Sequence, residues 1–191
     1  MGSNPFSSRF IRPGAVPFIF EGGESAAVLV GRLCEQNWWG QIIGPHGSGK
    51  STLLMALAPA LEAAGRTVVS MTIHQGEHRL PPLERESINA AIQLIIDGYE
   101  QLSWWSRRRV KSLCRTSGAG LLVTAHADVG LPTLHQTQSS ETLARAVVSR
   151  LLSNGHSAIS SDDIDRAYAA AGGNLRETLY KLYDIYQQRQ A

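Results

Sequence analysis

One run, Gly44-Pro45-His46-Gly47-Ser48-Gly49-Lys50-Ser51-Thr52, constrains this chain more than any other feature. It satisfies G-x-x-x-x-G-K-[ST]. An apolar segment, Trp39-Gly40-Gln41-Ile42-Ile43, leads into it, and strong helix formers, Ser51 to Ala58, follow. The pattern predicts a strand, a tight glycine-rich loop and a helix. Such a loop can curl successive backbone N–H groups around an anion, at a helix N-terminus whose dipole also favours negative charge. Lys50 would supply a full charge to the β- and γ-phosphates, and the Ser51 hydroxyl a ligand for Mg²⁺. Thr52 adds a hydroxyl toward the α-phosphate. Gly44 to Thr52 is therefore the expected binding segment for ATP or ADP with Mg²⁺. The flanking strand and helix argue against a glycine-rich turn that binds nothing.

The rest of the chain repeats the alternation of strand and helix. Glu24–Gln36 has helical spacing, Thr67–Ile73 is β-branched and alternating, and His74–Pro82 is a polar loop. Ala91–Ile96 and Gly120–Ala125 are short apolar runs suited to strands buried on both faces of a parallel sheet. A brief strand is expected within Leu131–Gln136. A basic helix is expected at Ser103–Cys114, and helices at Ser140–Ser153, Ser161–Ala171 and Leu175–Gln188. Asn174 with Glu177 suggests a capping box for the last of these. The expected fold is a three-layer α/β domain with a mainly parallel five-stranded sheet and a small C-terminal helical lid. Residues 1–138 would form the nucleotide-binding domain and residues 139–191 the lid. Residues 1–22 read as an extended arm on the domain, because Phe6, Phe10, Phe18 and Phe20 need burial.

Two strand ends carry the remaining candidates. Asp97 closes an apolar strand at its carboxyl end, where ligands bind in open α/β sheets. It is the expected second Mg²⁺ partner, alongside Ser51. Glu100 is the candidate base that orients a hydrolytic water, although a solvated first-turn glutamate would look the same. Thr124 and His126 end the next apolar strand. They would lie beside the γ-phosphate if that strand neighbours both the loop strand and the Asp97 strand.

Together these residues resemble the ATPase group of phosphate-loop proteins with an extra strand between the two nucleotide-binding motifs. Within it they are most similar to the AAA+ family and its signalling relatives. The resemblance spans roughly residues 35–188. Asp97-Gly98-Tyr99-Glu100 is similar to the D-G-x-[DE] form of the signalling branch, and Thr124 to the first-sensor position. Gly172-Gly173-Asn174-Leu175-Arg176 is similar to the G-N-x-R segment, which implies that Arg176 approaches the γ-phosphate. The short lid departs from the family, and no trans-acting arginine stands out among Arg107, Arg108, Arg109, Arg145 and Arg150. Ring assembly is therefore not implied.

A net charge of +2 gives no general case for nucleic acid. Trp104-Trp105-Ser106-Arg107-Arg108-Arg109 is the one local basic run, a docking patch for protein or, less favoured, nucleic acid. Trp104 and Arg108, four apart, are spaced to stack. The bland reading buries Trp105, Leu102 and Leu113 on one helix face and solvates the arginines. The Trp38-Trp39 pair suits packing better than an adenine stack. No apolar run reaches membrane-spanning length and no secretory signal opens the chain, so a cytoplasmic protein is expected. The leading function is Mg²⁺-dependent ATP hydrolysis coupled to lid or partner movement. The alternatives are a small-molecule or nucleoside kinase, and a nucleotide-binding switch with negligible turnover.

Overall fold

Short apolar runs alternating with amphipathic segments set the architecture. A computed structural model describes residues 4–80, 87–152 and 159–190. Its strands are β1 (Trp39–Ile43), β2 (Thr67–Thr72), β3 (Ile92–Asp97), β4 (Gly120–Ala125) and β5 (Thr133–Gln136). Its helices are α1 (Ser8–Ile11), α2 (Ala26–Glu35), α3 (Lys50–Ala63), α4 (Trp104–Ser117), α5 (Glu141–Leu152), α6 (Ser161–Ala170) and α7 (Leu175–Gln190). Every expected strand and helix is present. Positions 81 and 82 of the expected polar loop, and Ser153 at the end of the expected helix, lie outside the described residues.

Contacts divide the chain into two compact units: Phe20–Gly44 with Leu54–Gln136, and Met1–Ile19 with Pro45–Leu53 and Thr137–Ala191. The first contains the whole sheet, in the order β2-β3-β4-β1-β5. All four strand pairings are parallel. β4 thus stands between β1 and β3, as the extra-strand resemblance implies. Both faces of β3 and β4 are covered, which explains why their sequences run apolar without alternation. Leu94, Ile96, Leu121 and Val123 pack with Tyr99, Leu102, Val110 and Cys114 into one core. Burial pushes the Cys114 thiol up to about 11, so it behaves as a small apolar group. Gln93, the polar interruption in β3, is fully buried and donates from Nε2 to the Trp38 carbonyl at 3.2 Å.

The second unit has its own core, built from Phe6, Ala144, Val148, Ile164, Leu179, Leu182 and Tyr186. The N-terminal arm is not extended throughout, because Ser8–Ile11 closes one helical turn. Of its aromatic residues Phe6 is fully buried, edge-on to Tyr186 at 6.1 Å, while Phe10, Phe18 and Phe20 are half-buried. Asn174 Oδ1 accepts from the Glu177 N–H, the first half of the expected capping box. A complete box caps α6 instead, between Ser160 and Asp163.

Asp163 is 2% exposed and takes a bidentate pair from Arg189, at 2.6 and 2.9 Å, with Arg166 at 2.8 Å. The Arg189 hydrogen bonds, then the Ser160 backbone, hold its carboxyl far below the usual carboxylate range. The stabilisation is therefore complete above about pH 4, the unfolded value, and is lost as pH falls further. Breaking a buried pair costs ~3–5 kcal/mol; with both arginines partly solvated, Asp163→Asn is expected to cost about 2 kcal/mol. Thermal melts of the variant and parent at pH 7 and pH 3 check this, since the difference should shrink at the lower pH.

Candidate functional site

The phosphate loop leaves the end of β1 at Gly44 and enters α3 at Lys50. From Pro45 onward it groups with the helical unit. Gly47 and Gly49 take φ of +72° and +95°, left-handed backbone that side-chain-bearing residues resist. Lys50 is only 9% exposed, and its Nζ donates to the Pro45 carbonyl at 2.8 Å. Ser48 also donates to that carbonyl, at 2.8 Å, and with its proton so placed accepts from Thr137 Oγ1 at 2.6 Å. Pro45 and His46 are exposed, and Ser51 and Thr52 half-buried. Against Gly47 lies Asn174: a Cβ there would stand 2.0 Å from Asn174 Oδ1. Thr137 carries no motif that sequence reasoning could find, and Asn174 was legible as a helix cap and as part of the segment resembling G-N-x-R. Arg176 is exposed in the first turn of α7.

In the sheet unit, Asp97, Glu100, Thr124 and His126 come together at the carboxyl ends of β3 and β4. Thr124 Oγ1 donates to Asp97 Oδ1 at 2.5 Å and accepts from the Gly98 N–H at 2.9 Å. Its proton is thus committed to orienting Asp97. Gly98 has φ of +82°, and a Cβ there would meet the Ile73 carbonyl oxygen at 2.5 Å, so glycine is required at this bend. The bend starts a 3-10 turn, Tyr99–Gln101, anchored by the fully buried Tyr99. Burial pushes the Tyr99 hydroxyl up to about 12, against an opposing pull from Arg107, and it donates to the Arg107 carbonyl. Arg107 donates in return to the carbonyls of Glu100 and Leu102, at 2.6 and 2.9 Å. The turn swings Glu100 back so that Oε1 lies 2.7 Å from His126 Nε2. The other ring nitrogen, Nδ1, faces the Gly44 carbonyl at 3.3 Å. Glu100 Oε2 is buried with no hydrogen-bond partner among the described residues.

The basic helix departs from the burial expected for it. Leu102 is buried and Leu113 partly so, but Trp105 is 75% exposed and Trp104 61%. Trp105 follows Trp104 at the first turn of α4, and the two rings meet edge to face, 4.6 Å apart, outside the core. Arg108 stacks on Trp104 at 5.6 Å, the spacing expected. Arg107 is half-buried, with its Nε and one terminal nitrogen spent on the carbonyls around the 3-10 turn. Trp39 packs against the sheet core, and Trp38 lies under Arg66 at 4.7 Å, so both serve packing.

Among the described residues no three His, Cys, Asp or Glu side chains cluster as a metal cage. The half-buried Ser51 hydroxyl on the loop is nevertheless the kind of oxygen that suits Mg²⁺, which is ordinarily held by one or two protein oxygens together with substrate phosphates. Among the described residues no helix is long and apolar enough to cross a membrane. No protein-family model and no curated protein matches the chain. Among solved structures it is similar to PCH-2 from C. elegans, at 14% identity over 86% of this chain and 67% of that one. The TM-score of 0.42 is too low for that likeness to carry an argument.

Proposed function

We propose that this chain is an AAA+-like phosphate-loop ATPase that binds ATP with Mg²⁺ and hydrolyses it, coupling the nucleotide state to movement of a lid formed by residues 139–191 or of a protein partner. Binding rests on the loop, whose left-handed glycines, Lys50 and Ser51 supply the donors and charge that a triphosphate requires. Hydrolysis rests on one observation: Glu100 keeps a buried oxygen without a partner among the described residues, while His126 holds the other. A carboxylate held by one oxygen is suited to orienting a water and accepting its proton through the second.

Lys50 and Arg176 would neutralise charge developing on the γ-phosphate, and Asp97, oriented by Thr124, would hold the cation with Ser51. Mg²⁺ would supply electrostatic stabilisation of the transferring phosphoryl group. Thr124 acts here through Asp97, and His126 through Glu100.

A switch with negligible turnover is the second reading, favoured because Glu100 sits on a turn and is tied to His126. Phosphate release decides between them. Wild type should release phosphate from ATP with no acceptor added, which also separates it from a kinase. Glu100→Gln should lower kcat about 100-fold, within the range for removing a general base, with ATP affinity changed less than about threefold. Turnover unaffected by Glu100→Gln would remove that residue from the reaction, and no wild-type release at all would leave the switch or the kinase.

A further inference from the structure

Gly47 occupies a position where the loop motif accepts any residue, yet the structure requires glycine there. Part of the reason is its φ of +72°. The rest is Asn174, whose side-chain atoms Oδ1, Cγ and Nδ2 would lie 2.0, 2.8 and 3.2 Å from a Cβ on Gly47. The Asn174 amide therefore sits directly on the phosphate loop, and both belong to the same compact unit.

The orientation of that amide follows from the helix it caps. Oδ1 accepts from the Glu177 N–H at 3.2 Å, while the Asn174 carbonyl takes the Thr178 N–H and hydroxyl, at 2.9 and 2.8 Å. Three bonds thus fix the residue at the start of α7 and assign its acceptor. Nδ2, the donor, has no partner among the described residues. A half-buried amide set against the phosphate loop, its acceptor used and its donor unspent, is arranged for an anion.

We infer that Asn174 is a nucleotide-contacting residue, donating from Nδ2 to a phosphate oxygen held by the loop. This rests on the reading of Gly44 to Thr52 as a triphosphate site and adds to it a ligand from α7. Two properties follow. The nucleotide would join the loop to the N-terminus of α7 through one side chain, and the Gly172–Arg176 segment would contribute two groups rather than Arg176 alone.

The test separates contact from capping. Asn174→Asp keeps the capping oxygen, which the helix dipole tolerates better still, but places a carboxylate against phosphate. Asn174→Ser keeps a capping oxygen and removes the amide donor without adding charge. ATP and ADP titrations of wild type, both variants and Lys50→Ala, with a thermal melt of each, give the answer. Expected is a loss of affinity for both nucleotides of at least about tenfold in Asn174→Asp and about fivefold in Asn174→Ser, with melting temperatures near wild type. Wild-type affinity in both Asn174 variants, with binding abolished in Lys50→Ala, overturns this inference and leaves the loop reading intact. Undiminished affinity in Lys50→Ala overturns the loop reading and this inference with it. If Asn174→Asp fails to fold, Asn174→Ser decides alone.

Discussion

Lys50→Ala is expected to abolish nucleotide binding while leaving the fold intact. Lys50 is 9% exposed, and its ammonium rests on the Pro45 carbonyl. A cation held on a carbonyl of its own loop is poised to exchange that neutral acceptor for a charged one. Hydrogen bonds to charged groups contribute about 1.5–3 kcal/mol each, and contact with two phosphates doubles this. At 1.4 kcal/mol per decade, the Kd for ATP should rise by at least about 100-fold. The cost to folding should be small, because the buried cation and its desolvation are removed together and Ser48 still satisfies the Pro45 carbonyl. Calorimetric titration beside a thermal melt checks both halves. Retained affinity would sink the nucleotide assignment for the whole chain.

The second large effect is expected at Gly47, where the motif alone predicts none. An alanine at φ of +72° costs about 1–2 kcal/mol through its left-handed backbone. Its Cβ also displaces Asn174, so α7 loses its cap, worth about 1 kcal/mol. Gly47→Ala should therefore destabilise by about 2–3 kcal/mol, roughly a 5–10 °C fall in Tm for a chain of this size. The Gly47→Ala, Asn174→Ala double variant should lose less than the sum of the singles, since the cap can be lost only once. Strict additivity would show that the Asn174 contact does not contribute.

Much of this was legible in the residues, for identifiable reasons. β3 and β4 announce themselves because strands buried on both faces carry unbroken apolar runs. The loop is legible because phosphate binding demands glycine, lysine and a hydroxyl in fixed order. The position of β4 between β1 and β3 followed from the resemblance, and no local propensity encodes it. What stayed hidden depends on tertiary placement. Thr124 is a hydroxyl at a strand end either way, and only its distance to Asp97 shows where its proton goes. Helical spacing allows Trp105 a buried face or a solvent-facing patch, and only its 75% exposure at the first turn of α4 decides between them. Asn174 was legible as a cap, and its contact with Gly47 crosses too much sequence for any motif to record.

The helical unit is drawn from three separate stretches of chain, Met1–Ile19, Pro45–Leu53 and Thr137–Ala191. Such a unit cannot complete itself in the order in which the chain is written. Its first stretch must wait for partners more than a hundred residues downstream: Asn4 donates to the Tyr183 carbonyl, and Arg150 to that of Pro17. The sheet unit, by contrast, closes within Phe20–Gln136. Pairings of such long sequence separation form late, because the entropy of closing the intervening chain is lost before the contacts repay it. Packing of the phosphate loop against Thr137 and Asn174 is therefore expected to form after the sheet.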